Sequence, residues 1–485
     1  MSTLDWVILA LFFLVMIGIG MWSHKQVHDT KDYFTAGGKM PWWLSGISHH
    51  MSGYSAVAFV GYAAVAYTNG FTLYVWWAFP IGVAIFIGSF IFAPRWSRLR
   101  DRYQISSPME YLTTRYNLPV QQVLAWSGVA LKIFDVGAKW TAIAIVLQVF
   151  TGMPLIVGIL LSGGVSLIYS TIGGLWADAL TDFAQFIIQF VAGIVLFVVV
   201  IIKLGGMGSL FGIWSQLPPE HSHLLNGPYT GVFVLALFIS NMLSYNGGTW
   251  NLAQRYMASK TGSDARKSAI LSAVLYLIWP LVLFFPMWAA PLLLPNLKDP
   301  SQSYAILATT LLPPGLIGLV LAGLFSHTMA MTTSDANAIS AVVTQDILPV
   351  ISKKISKGSL KAARITTFIF VFLTMVIAAN SSQFGGVLGL ILLWFQALIG
   401  PTSVPMLFGL LPAFRNSGPS AAFISWLGGL VAFALLKYVF VSSQATLLIT
   451  PIAVTLVLYV GIGLFNRNKN VPLPVTNMLK ALDQD

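Results

Sequence analysis

Thirteen apolar windows follow one another along this chain, each long enough to cross the roughly 30 Å hydrocarbon core of a bilayer. They cover about residues 4–23, 41–66, 70–94, 118–150, 152–170, 176–203 and 229–258, then 265–293, 302–349 with a Pro-rich entry, 362–380, 385–413, 419–441 and 445–466. Such a pattern predicts an all-α polytopic membrane protein. Only 8% of the 485 residues are charged, against about 25% in soluble domains. The absence of cysteine excludes disulfides, thiol catalysis and cysteine metal clusters, and the seven His show no repeated ligand spacing. A net charge of +11 would suggest nucleic acid for a soluble chain, but here the positions of the charges matter more than their sum. The lipid bilayer is the expected partner, and no nucleic acid or obligate protein partner is expected.

The first window opens on Asp5 and lacks a basic n-region and a small-residue cleavage site, so it reads as a retained helix, not a signal peptide. The segments 24–40, 95–117, 255–267, 350–364, 414–418 and the tail after 466 carry 21 of the 26 Lys and Arg. The positive-inside bias then places the N-terminus outside and the C-terminus in the cytoplasm of a plasma (inner) membrane. The basic run at 95–102 reads as a topology and headgroup anchor. Residues after 466 read as a short, polar, disordered cytoplasmic tail.

Residues 47–70 are apolar enough to enter a bilayer yet crowded with Ser, Gly and His. Interrupted helices persist in hydrocarbon only where protein or a water-filled cavity surrounds the break. The expectation is a break from His49 to Ser55, whose freed carbonyls and the hydroxyls of Ser52 and Ser55 are candidate ligands for a cation or polar solute. A small-residue packing face is the alternative.

Charges in mid-membrane are functional hypotheses by default. Lys132, Asp135 and Lys139 fall inside one window, and Asp135 and Lys139, four apart, are placed to neutralise each other. Asp178 and Asp182 lie one turn apart after the Gly173–Gly174 pair. Asp178 reads as a helix N-terminal cap; Asp182, a turn deeper, is the candidate for a cation's inner exit.

AspTyrPhe at 32–34 with its following Gly pair, TyrSerThrIleGlyGly at 169–174 with the AlaAsp and ThrAspPheAlaGln that follow, GlnArgTyrMetAlaSerLys at 254–260 and ProProGlyLeuIleGlyLeuValLeuAlaGlyLeu at 313–324 together resemble the solute:sodium symporter family, the sodium/glucose and sodium/proline cotransporter type. The resemblance spans roughly residues 30–415. It implies a leucine-transporter-type 5+5 inverted repeat: residues 1–30 a peripheral first helix and loop, 31–203 and 204–415 the two repeats, 416–466 two peripheral helices and 467–485 the tail. Residues 241–251, polar and Gly-paired, are then a second interruption in the position corresponding to the first.

Residues 325–346 resemble the family helix that supplies two adjacent hydroxyls to a sodium site. Counting back from Thr344 and Asp346, the matching positions hold Ala330 and Met331, a departure from the pattern. Either Thr332, Thr333 or Ser334 takes over through a register change, with the carbonyls of Met51 and Tyr54 as the other half of the site, or the coupling differs. His327, Asp335, Lys139 and Asp182 are ionisable candidates for coupling. A proton on His327 replaces the cation in one reading, and in another His327 bonds a neighbouring carbonyl; Asp335 has sodium, substrate or Lys139 as alternative partners.

Ser55, Phe59, Tyr245, Asn246, Thr249 and Trp250 are the substrate-binding candidates: aromatics suit sugar rings and the polar groups supply hydrogen bonds. No Arg is counted inside a window, which argues against a bidentate carboxylate clamp. The sequence therefore reads as a symporter, not an enzyme, that takes up a small polar solute, a sugar or polyol favoured, on a sodium gradient with no other cofactor. A proton-coupled carrier of an organic acid or sugar, and a solute sensor without transport, are the alternatives. A channel would need a continuous polar path, and an enzyme would have only His49, His50 and Ser52 to work with.

Overall fold

The structure is a computed structural model that describes residues 1–23, 25, 27–352, 359–384 and 386–483. Its described residues are almost wholly helical, with one isolated β-bridge between Met40 and Ser259. Among the described residues ten helices are long and apolar enough to cross a membrane: Thr3–Ser23, Tyr74–Ile91, Leu118–Thr151, Gly173–Lys203, Gly231–Gly248, Gly262–Leu293, Leu316–Ile351, Leu360–Ala379, Pro419–Val439 and Ala445–Phe465. Two shorter apolar helices, Leu155–Ile168 and Phe395–Phe408, accompany them. Leu14, Ile202, Phe372 and Val457 stand exposed on the outside, as side chains facing lipid tails do. Ser, Thr, Asn, Asp and His are instead gathered in the middle of the bundle.

The expected interruptions are present, with adjusted bounds. Trp42–Met51 is continuous helix, and Ser52 N still bonds Ser48 O at 2.9 Å. The first break therefore runs from Ser52 to Ser55, not from His49. Beyond it a π-turn at Ala58–Tyr62 leads into the Ala63–Asn69 helix. The second break is a π-turn at Ser244–Gly248 between Gly231–Leu243 and Trp250–Ala258. Its turning point is Gly247 at φ 114.

Two expectations about chain course need correction, the 302–349 window and the tail. The 302–349 window holds a short Ser303–Leu311 helix, and the long helix begins only at Leu316, because Pro313 and Pro314 precede Gly315 at φ 92. The 152–170 and 176–203 windows are the helices Leu155–Ile168 and Gly173–Lys203, with the helical course broken at Gly174, φ 55. The tail is not disordered: Leu473–Asp483 is a helix that buries Val475, Met478, Leu479 and Leu482 on one face. That spacing is the apolar stripe of a surface helix. Its end is held on Ala93–Tyr103 by Arg98 Nη1 bonding Leu482 O at 2.7 Å and by an Arg95–Asp483 pair.

Candidate functional site

The two breaks face each other and satisfy one another's backbone. Tyr245 Oη donates to Gly53 O at 2.7 Å, Asn251 Nδ2 to Ser52 O at 3.2 Å, and His49 Nε2 to Tyr245 O at 3.2 Å. Ser272 Oγ lies 2.8 Å from His49 Nδ1. Since Nε2 must carry the proton to reach a carbonyl, Nδ1 accepts from the Ser272 hydroxyl. Trp96 Nε1 donates to Asn246 O at 3.0 Å. A Cβ at residue 247 would stand 2.4 Å from Trp96 Nε1, on a backbone that L side chains rarely adopt. Gly247→Ala is accordingly expected to cost about 1–3 kcal/mol, read as a lower melting temperature and a smaller folded peak on size exclusion in detergent.

A fully buried charge network lies beside the first break. Arg255 pairs with Asp178 and reaches Asp182 Oδ2 at 3.4 Å, and its Nε donates to Ser48 Oγ at 2.8 Å. Ser48 Oγ in turn donates to Asp182 Oδ2 at 2.5 Å. Thr333 Oγ1 donates to Asp178 Oδ1 at 2.6 Å and Ser334 Oγ to Asp178 Oδ2 at 2.9 Å, while Ser52 and Ser334 hydroxyls meet at 2.8 Å. Asp178 is thus no cap, because the Gly174 kink turns its carboxylate into the core between Arg255 and the Leu316–Val342 helix. Arg255 is no loop residue either; Trp250–Ala258 is helix and buries it completely.

A second network joins two helices. Lys132 Nζ lies 2.7 Å from Asp135 and 3.1 Å from Asp335, and Lys139 Nζ 2.8 Å from Asp135 and 2.5 Å from Asp335. Of the alternatives named for Asp335, Lys139 is one it meets, with Lys132 added. Taken together, the two networks set three cations against four carboxylates when all are ionised, one negative charge in excess. Asp182 is the least compensated member: its Oδ1 has no hydrogen-bond partner among the described residues.

Sequence comparison matches residues 33–429 to the Sodium:solute symporter family. The chain belongs to the sodium:solute symporter family. It is 28% identical over 385 residues to a sodium/glucose cotransporter of Vibrio parahaemolyticus, covering 72% of this chain and 69% of that one. It is 26% identical over 504 residues to a sodium/sialic acid symporter of Aliivibrio fischeri, covering 97% and 95%. The solved structure of a Na+-coupled sialic acid symporter, substrate-bound and outward-open, superposes with a TM-score of 0.84 at 19% identity, over 96% of this chain and 98% of that one. That match shows a shared fold. As a sodium:solute symporter the chain is a multi-pass membrane transporter, not an enzyme.

Within this symporter the remaining candidates fall in different places. Met51 and Tyr54 are buried at the first break, and Tyr54 Oη meets His50 Nε2 at 3.2 Å. Ser55 Oγ accepts from Val57 N at 3.4 Å and Thr249 Oγ1 donates to Ser244 O at 2.8 Å, so both hydroxyls serve their own breaks. Asn246 is turned away, its amide donating to Ala84 O at 3.1 Å and Met242 O at 3.0 Å. Thr332 bonds back to Thr328 O at 2.8 Å. Trp250 lines a cavity of about 10 Å³ with Asn251, Lys132 and Asp335, about the room of one water. His327 makes no bond to a neighbouring carbonyl; neither ring nitrogen has a partner among the described residues, and the ring lies 4.4 Å from Tyr54 and 5.1 Å from Phe59. Sequence reasoning missed Arg255, Ser48, Gln185 and Gln189 as core residues. For the two glutamines the signal was available: polar side chains one turn apart in an apolar run.

Proposed function

We propose that this symporter takes up a small polyhydroxylated solute, a sugar or polyol, driven by a sodium gradient. The observation that carries the coupling is the imbalance of the buried networks, three cationic side chains against four carboxylates. An uncompensated buried charge is costly, so one monovalent cation entering with the solute offsets it. The cation site is drawn from the carbonyls of Met51 and Tyr54 with Thr332, Thr333 and Ser334, and Asp182 lies on its inner exit. Support comes from the Ala56 N to Thr328 Oγ1 bond of 3.0 Å and the Ser52–Ser334 contact, which hold the hydroxyl-bearing helix against the first break. The substrate class is suggested by the glucose and sialic acid carriers among the relatives and by the aromatic lining of the break.

The same reading gives the chain thirteen crossings. It adds to the ten long helices the two shorter apolar ones and the broken pair Trp42–Met51 and Ala58–Asn69. The halves 31–203 and 204–415 are the two inverted repeats, each opening on a broken helix, and one helix bundle rocks against the other around the central site for alternating access. The N-terminus then lies outside and the C-terminus inside, in the plasma membrane.

The test is uptake into proteoliposomes. A sodium gradient is expected to drive accumulation of a sugar or polyol, and choline in place of sodium on both sides at fixed pH to abolish it. Accumulation that persists in choline and follows the pH gradient would replace sodium by a proton, and indifference to both gradients would end the cotransport reading.

A further inference from the structure

Gln189, His327, Phe59 and Tyr304 enclose a second cavity of about 10 Å³, between the outer half of the first broken helix, the Gly173–Lys203 helix and the outer part of Leu316–Val342. The Gln189 and His327 side chains on its wall are at least 98% buried, and among the described residues neither amide atom of Gln189 and neither nitrogen of His327 has a hydrogen-bond partner. Burying so many unpaired polar atoms is costly. One turn before Gln189, both amide atoms of Gln185 are likewise unpartnered.

We propose that Gln189 and His327 form a subsite for the hydroxyl groups of a neutral cyclic polyol; this inference rests on the carrier reading above. No Lys, Arg, Asp or Glu lines this cavity, in contrast to the one beside Trp250, so neither an anion nor a lone cation finds a counter-charge here. A carboxamide offers a donor and an acceptor side by side, which matches adjacent hydroxyls, each a donor and an acceptor. A neutral imidazole presents one of each as well. The volume takes a group about the size of one water or hydroxyl, so this subsite receives an edge of the solute and not the whole of it. Phe59 lies 5.1 Å from the His327 ring and 5.0 Å from the Tyr304 ring, and these aromatics supply the flat apolar surface on which the carbon face of a sugar ring rests.

The experiment compares wild type, Gln189→Met and His327→Phe in proteoliposomes and by thermal shift, with glucose, its monodeoxy analogues and myo-inositol as probes, with and without sodium. Wild type is expected to prefer a fully hydroxylated probe to one deoxy analogue by about tenfold or more. Gln189→Met is expected to lose that preference and bind the parent probe about tenfold more weakly, with sodium-dependent stabilisation in the absence of solute unchanged. Because the substitution removes an unpaired buried group, its melting temperature without solute is expected to equal or exceed that of wild type, which separates lost binding from lost folding. Wild-type affinity and deoxy discrimination surviving in both variants, or sodium-driven uptake of an organic acid but none of the polyol probes by wild type, would overturn the assignment. Sodium-independent behaviour of wild type towards every solute would instead sink the carrier reading and take this subsite with it.

Discussion

Asp182→Asn is expected to leave a carrier that equilibrates its solute across the membrane but no longer accumulates it on a sodium gradient. Asp178 is matched by Arg255, Thr333 and Ser334, whereas Asp182 shares Arg255 at 3.4 Å and keeps one oxygen unpartnered among the described residues. With all four carboxylates ionised its charge is the surplus one, and the amide removes it. The effect is measurable without transport. A ligand that binds only the folded state stabilises it by about 2.7 kcal/mol at a hundredfold excess over its Kd. Wild type is therefore expected to melt at a higher temperature in saturating sodium chloride than in choline chloride, and Asp182→Asn at the same temperature in both. Sodium-driven accumulation that survives the substitution would mean that the cation is bound elsewhere. Asp178→Asn is expected to act differently, lowering stability in either salt, since it leaves the buried Arg255 only the longer 3.4 Å contact to Asp182.

The breaks were legible because their chemistry is local. Ser52, Gly53, Gly247 and Gly248 are poor continuations of a lipid-exposed helix, and no neighbour is needed to see it. Their bounds were less legible, since His49 and His50 stay helical among tertiary partners: Ser272 Oγ and Tyr245 O meet the His49 ring, and Tyr276 Oη donates to His50 O. Arg255 was misplaced for a related reason. It closes an apolar window and precedes Lys260, Arg266 and Lys267, so a count of positive charges absorbs it into the loop. Only the Gly174 kink, which carries Asp178 inward, brings it a partner. The Asp135–Lys139 pair was readable from its four-residue spacing, but Asp335 and Lys132 completed it through tertiary contact. The family fold was readable from motifs in order, and the polar cavity at Gln189 was not, because it needs three helices at once.

The second large effect concerns that four-charge network. Lys139→Met is expected to destabilise the protein by about 3–5 kcal/mol, because the surplus carboxylate stays buried at the interface of Leu118–Thr151 and Leu316–Val342. Asp335→Leu alone is expected to do the same by stranding a lysine charge. The double variant Lys139→Met with Asp335→Leu keeps Lys132 paired with Asp135 at 2.7 Å and strands nothing. It is expected to melt near wild type, since well-packed apolar residues replace a buried ion pair at little or no cost. The coupling between the two positions then appears in a double-mutant cycle of melting curves as a non-additive term of several kcal/mol. If the double variant retains sodium-driven uptake, the pair is a structural tie between the two helices. If it folds and binds sodium yet loses solute, the charges beside Trp250 belong to the solute path. Additive destabilisation would contradict the geometry, for it would mean that Lys139 and Asp335 do not meet.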